Sequence, residues 1–261
     1  MAMKKILLAA TAIAVVIYTS LCSAEEKWNT SKSTHFIVYF KNAPESFIGQ
    51  VVEKSEGYYD RIADNLGFTR FNFWLWDNRA KIYIYDNPDD YHVSTDQPAW
   101  SGGAARPQEK AIYTYPYAQG FFETVLPHEM GHIIFREFVG FNNNAIPAWL
   151  EEGVASYQES LRNPAALALA KRAAGDGTLI PLDRLAEINP QSIIGQAEAQ
   201  LFYAEAISIV DFMIGEFGKD NFVLFCQNLR DKRNLRQALC LVYPFSGLQD
   251  FGEAWQKYLK K

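Results

Sequence analysis

The chain is short of the residues that most often bind metal or carry redox chemistry. Among 261 residues there are three cysteines and four histidines. That excludes a disulfide-dense scaffold and a cysteine-rich zinc module. No basic block occurs, and the net charge is −5 with a pI near 5.5. Nucleic acid is therefore not an expected partner. There is no internal repeat and no low-complexity segment, which sets aside solenoids and disordered linkers. No apolar run reaches the twenty or so residues needed to span a bilayer.

What is present is apolar and aromatic: 49% hydrophobic and 15% aromatic residues. That supports one sizeable core. The aromatics cluster between Tyr58 and Phe122, as core packing or as the lining of a substrate cleft.

The first residues have the layout of an export signal. Lys4 and Lys5 precede the apolar stretch Ile6–Tyr18, and Cys22–Ala24 offers small residues before a cut ahead of Glu25. The expectation is a signal peptide over 1–24, a periplasmic or secreted protein, and no stable membrane insertion after cleavage. An uncleaved anchor is the alternative. Lipidation at Cys22 fits less well, because Leu21 rather than a small residue directly precedes it. Cleavage leaves Cys226 and Cys240. In an oxidising compartment an isolated pair usually bridges, and a bridge across a helical hairpin is expected here. Two free thiols are the alternative.

The segments "HFIVYF" (35–40), "KIYIY" (81–85) and "AIYTY" (111–115) are β-branched and aromatic, so they read as strands. A helical period runs from Glu45 to a closing Gly67. The stretch 98–108, rich in Gly and Pro, reads as loop or turn. Beyond residue 120 the patterns are helical, including "AQLFYAEAISIVDFMIGEFG" and "LQDFGEAWQKYLKK". The fold class is α+β. Residues 25–261 form one domain, with an α/β part at 25–119, a helical part at 120–261, and the site where the parts meet.

That site is "LPHEMGH", residues 126–132. Four residues turn a helix by about 400°, so His128 and His132 share one face a turn apart. Two imidazole nitrogens at that spacing reach one zinc ion. Glu129 lies about 100° round, placed to act on water as a general base. Thr124 is the expected N-cap, Pro127 falls in the first turn, and Gly140 closes the helix. Gly131 keeps one turn slim. Catalytic zinc takes three protein ligands, so a third is needed. His35 and His92 sit in a strand start and a turn that account for them. Downstream, "IPAWLEEGVASY" (146–157) reads as a helix opened by Pro147, with Trp149, Leu150 and Val154 on its apolar side. It offers Glu151 and Glu152, which point about 100° apart.

"HEMGH" followed by "WLEEGVASY" resembles the gluzincin metallopeptidases, most strongly over 124–157. The resemblance implies a zincin-like domain, one Zn²⁺, and a peptide or protein substrate. It implies the glutamate just before the glycine, Glu152, as third ligand beside His128 and His132, with Glu129 as base. A tyrosine or histidine that supports the oxyanion is also implied, and Tyr203 in "LFYAEA" is the candidate. Glu151, Glu205 and Asp211 are candidates for orienting the ligand imidazoles. The segment 99–115 is expected to offer a strand edge to substrate, with Gly102 and Gly103 permitting close approach. No G-A-M-E-N exopeptidase motif occurs, which favours an endopeptidase. Two alternatives remain: a catalytically silent zinc-containing binding module, and a zinc hydrolase of a cell-wall amide or ester.

Overall fold

The structure is a computed structural model that describes residues 27–68, 74–161, 163–193 and 195–261. The expected signal peptide over 1–24 and Cys22 lie outside these residues.

A five-stranded sheet forms the N-terminal part, in the order β1-β2-β3-β5-β4. The strands are β1 (Asn29–Lys32), β2 (Phe36–Phe40), β3 (Ala80–Ile84), β4 (Gly103–Arg106) and β5 (Ala111–Thr114). β2, β3 and β5 are parallel, while β1 and β4 run antiparallel on the two edges. Strand alternation explains the two faces. Phe36, Val38, Ile82, Ile84 and Ile112 point into the core. Tyr39, Tyr83 and Tyr113 are in register on the other face. Their rings stack with centroids 4.7 and 4.9 Å apart.

The three expected strands are thus present, and so is helix α1 (Glu45–Leu66), closed by Gly67 in the left-handed conformation. Two expectations fail here. The stretch 98–108 is not all loop, because Gly103–Arg106 pairs with β5. Glycine and alanine carry little strand propensity, so this edge forms through its hairpin partner rather than from its own composition. His92 lies in a short helix, α2 (Pro88–Thr95), rather than in a turn. Asn87 caps that helix by accepting from the Asp90 N–H.

The helical part comprises α3 (Leu126–Val139), α4 (Ala148–Ser156), α5 (Asn163–Asp176), α6 (Leu182–Glu187), α7 (Gln196–Phe217), α8 (Lys219–Lys232), α9 (Leu235–Val242) and α10 (Leu248–Leu259). The arrangement is an α+β, zincin-like domain. α3 lies under β4 and β5, with α1 and α4 packed beside it. α7 is almost wholly buried along its middle and packs on both α4 and α5. No helix among the described residues is long and apolar enough to cross a membrane.

The expected disulfide is not formed. Cys226 and Cys240 are both free, the first buried and the second exposed. α9 turns Ala238 and Leu239 inward. The next residue, Cys240, is rotated about 100° further and reaches solvent. Cys226 instead belongs to the inward face of α8, with Phe222, Phe225 and Leu229. Burial pushes its thiol well above the ordinary value.

Candidate metal centre

α3 begins differently from the sequence expectation. Thr124 does not cap it. Residues Phe121–Val125 make one wide turn that runs into the helix, and the Val125 N–H reaches the Gly120 carbonyl. Proline explains the irregularity. Pro127 has no N–H to give the Glu123 carbonyl, which accepts from the Ser160 N–H instead, at 3.2 Å. The Phe122 carbonyl takes the Tyr58 hydroxyl at 2.5 Å. Wide turns of this kind recur beside functional sites. Gly140, with φ 98°, follows the last residue of α3 as expected.

His128 and His132 project from one face of α3, with their Nε2 atoms 3.1 Å apart. The Glu152 Oε2 comes from α4 to within 3.6 Å of the first and 3.9 Å of the second. These three residues are the group among the described residues that could hold a metal ion. Tetrahedral zinc with donors at about 2.0–2.2 Å places them roughly 3.4 Å apart, so this donor set fits. The chemistry fits as well, since two imidazoles and one carboxylate leave a fourth position open.

Glycine permits the helix packing that brings the donors together. A Cβ on Gly131 would meet the Ala155 Cα at 2.9 Å, so α3 and α4 touch backbone to backbone there. A Cβ on Gly153 would lie 2.4 Å from the Ala206 carbonyl oxygen. α7 therefore presses directly behind Glu152.

Glu151 faces the other way. The Arg136 guanidinium grips both its carboxylate oxygens and also donates to the Asn143 carbonyl. Burial raises the Glu151 carboxyl, but Arg136 and then His132 outweigh that and hold it below its ordinary value. Its Oε1 is 3.8 Å from the His132 Nδ1. Neither Glu205 nor Asp211 supports the imidazoles. Glu205 accepts from the Ile180 N–H, and Asp211 from the Tyr258 hydroxyl.

The group that orients His128 was missed from sequence. Glu159, 1% exposed, takes the Nδ1–H at 2.8 Å. That bond sets the tautomer and leaves the Nε2 lone pair facing His132 and Glu152. The loop carrying Glu159 is pinned from α1, where Arg61 donates to the Gln158 carbonyl and Asn65 to its side chain. Its place on a loop just past the end of α4 gives it no helical period that the sequence could have shown. Burial lowers the His128 imidazole, yet the bond to Glu159 and the charges of Glu129, Glu159 and Glu152 lift it to about 9. The same carboxylates would favour a metal cation in place of that proton.

Glu129 lies beside the donors, 9% exposed. Burial raises its carboxyl, opposed by the two histidines and by the Ala105 N–H. Ala105 is on β4, so the free edge strand runs directly over this carboxylate. A Cβ on Gly103 would meet Val125 at 2.6 Å and the Glu129 Cγ at 3.2 Å. The hairpin is fixed at its other end by Lys110, whose Nζ is 2.5 Å from Glu137 of α3.

Tyr203 is half-buried on α7, edge-on to Phe202. It lies one turn before Ala206, the residue against Gly153. His35 and His92 take no part in the cluster. His35 pairs with Glu56 at 2.6 Å and stacks on Tyr59, and His92 packs against Tyr91 and Tyr115.

With this geometry in place, the comparison with known families becomes specific. The Peptidase MA superfamily matches residues 76–261. The chain belongs to that superfamily. The match takes in β3, the β4–β5 hairpin and every helix from α2 onward, and so includes all the residues of the metal centre. Among curated proteins no match is found. Membership supports a peptidase, which would act on peptide or protein substrates.

Proposed function

We propose that this member of the superfamily is an exported, zinc-dependent endopeptidase of gluzincin type. The observation that carries this reading is the convergence of the His128, His132 and Glu152 donors, with buried Glu129 beside them, beneath the unpaired edge of β4.

His128 and His132 would hold the ion through Nε2, and Glu152 through Oε2. When bound, zinc supplies Lewis acidity, which polarises a carbonyl and acidifies a water. Glu129 would accept the proton of a water whose oxygen bonds to the peptide carbonyl carbon, and would return it to the amine nitrogen as the C–N bond breaks. β4 packs against Glu129 at Gly103, Glu159 holds the His128 imidazole, and Glu151, gripped by Arg136, lies beside His132. The free edge of β4 receives an extended peptide through main-chain hydrogen bonds. Tyr203, half-buried on α7, is the proposed donor to the oxyanion. Export rests on Lys4, Lys5 and the apolar stretch Ile6–Tyr18.

The test uses residues 25–261, wild type and Glu129→Gln. Metal content is measured by mass spectrometry, alongside an unbiased peptide-library digest. One equivalent of zinc in both proteins, with cleavage in wild type alone, is the expected result. Zinc without peptide cleavage, but with hydrolysis of peptidoglycan fragments, would move the reading to another bond. Zinc with no hydrolysis of either would leave a binding module. For localisation, the mature N-terminus is sequenced from the periplasmic fraction, with Glu25 expected.

A further inference from the structure

An open aromatic groove of about 390 Å³ lies between the start of α1 and the wide turn before α3. Phe47 comes from α1, Phe121 and Phe122 from the turn, and Tyr117 from the loop leading into it. The Phe47 ring is 5.2 Å from Phe121, 5.7 Å from Phe122 and 6.1 Å from Tyr117. None of the described residues lining the groove is charged.

Two features set this cluster apart from core packing. Phe121 is 5% exposed and acts as floor, whereas the Tyr117 ring on the rim is 82% exposed. Tyr117 also has φ 66°, the left-handed region that side-chain-bearing residues avoid. An exposed ring beside a buried aromatic floor offers an apolar contact surface.

The segment that forms the groove's floor and rim also packs against the proposed substrate edge. At the N-terminal end of β4, a Cβ on Gly102 would meet Val125 at 3.1 Å and Ala118 at 3.4 Å, and one on Gly103 would meet Val125 and Glu129. Ala118 follows Tyr117, and Val125 lies one turn beyond Phe121. A peptide added antiparallel to β4 sends its C-terminal side towards this end. From His128 back to Phe122 is six residues, about 9 Å along a helix. An extended chain covers that in about three residues.

Resting on the peptidase reading, we infer that this groove is a specificity subsite. It takes a bulky apolar side chain, aromatic above all, about three residues C-terminal to the scissile bond. Apolar burial and ring–ring contact supply the recognition.

The experiment digests two matched peptide sets with residues 25–261. One set carries Phe or Leu three positions after the cut, the other Ser. The proteins are wild type, Tyr117→Gly, Phe47→Ala and Tyr117→Phe. Glycine suits the backbone at 117, so that variant folds, and thermal melting verifies this for each. Wild type is expected to favour the apolar set about ten-fold in kcat/KM. Tyr117→Gly and Phe47→Ala should lose that preference with the Ser set unchanged, and Tyr117→Phe should keep it. Cleavage by these variants with the wild-type preference intact overturns the subsite and leaves the peptidase reading standing. A preference on the N-terminal side of the cut overturns it as well. Absence of any peptide cleavage by wild type removes both.

Discussion

Glu159 holds the Nδ1–H of His128 at 2.8 Å from a position closed to solvent. The residue touches no donor face of the proposed ion, yet it decides where the His128 lone pair points. Glu159→Gln removes the charge and keeps the size. Zinc affinity is expected to fall by about ten- to a hundred-fold. Competition against a chromophoric chelator measures it, and unchanged affinity would reduce Glu159 to packing.

Gly153 and Gly57 are both helical glycines, and alanine should act on them in opposite directions. At Gly153 the added methyl meets the Ala206 carbonyl at 2.4 Å, with the α4–α7 contact in its way. Overpacking of this kind costs about 1–3 kcal/mol, and here it also shifts Glu152. At Gly57, midway along α1, nothing lies within 4 Å. Alanine there should stabilise by about 0.5–1 kcal/mol through helix propensity. Denaturant melts of both variants check the pair of signs.

Glu205 is fully buried on α7, and burial pushes its carboxyl up to about 8, although the Ile180 N–H pulls the other way. In the unfolded chain the same group ionises near 4.5. Between these values the unfolded state has lost a proton that the folded state keeps. This group therefore makes stability fall as pH rises from about 4.5 to about 8. Glu205→Gln removes the titration and retains an acceptor for Ile180. The variant should match wild type near pH 4.5 and exceed it near pH 8, by a margin on the order of a few kcal/mol. Equal pH slopes in urea melts would refute this.

The two described cysteines should separate cleanly in alkylation. Cys240 is exposed and Cys226 is buried, with its thiol raised by burial. Native protein from residue 25 onward should take one label, and denatured protein two, with or without reductant. A second label that appears only after reduction would restore the disulfide.

Much of the centre could be read from spacing. The i, i+4 period places His128 and His132 on one face of any helix, and a rigid period needs no tertiary context. β-branched and aromatic composition likewise marked β2, β3 and β5. The identity of the third donor came from resemblance, because adjacent Glu151 and Glu152 are symmetric in sequence. What separates them is Arg136, fifteen residues before Glu151, and that contact exists only once α3 and α4 are packed. β4 was legible only as the strand edge that the resemblance implied within 99–115, because its stability comes from β5 and α3 while its own residues carry almost no strand signal. Beside the wide turn at Phe121–Val125, the Ser160 N–H donates to the Glu123 carbonyl in place of the N–H that Pro127 lacks, a contact between distant segments.

By itself, then, the sequence determined the residue types of the chemistry, their helical periods and the α+β order of elements. These are local properties, set within a few turns of chain. The tertiary structure decided which glutamate meets the histidines, which carboxylate orients His128, and that neither cysteine pairs with the other. Those outcomes depend on distances between segments far apart in the chain. Close packing sets such distances, and at Gly131 and Gly153 a single methyl group would change them.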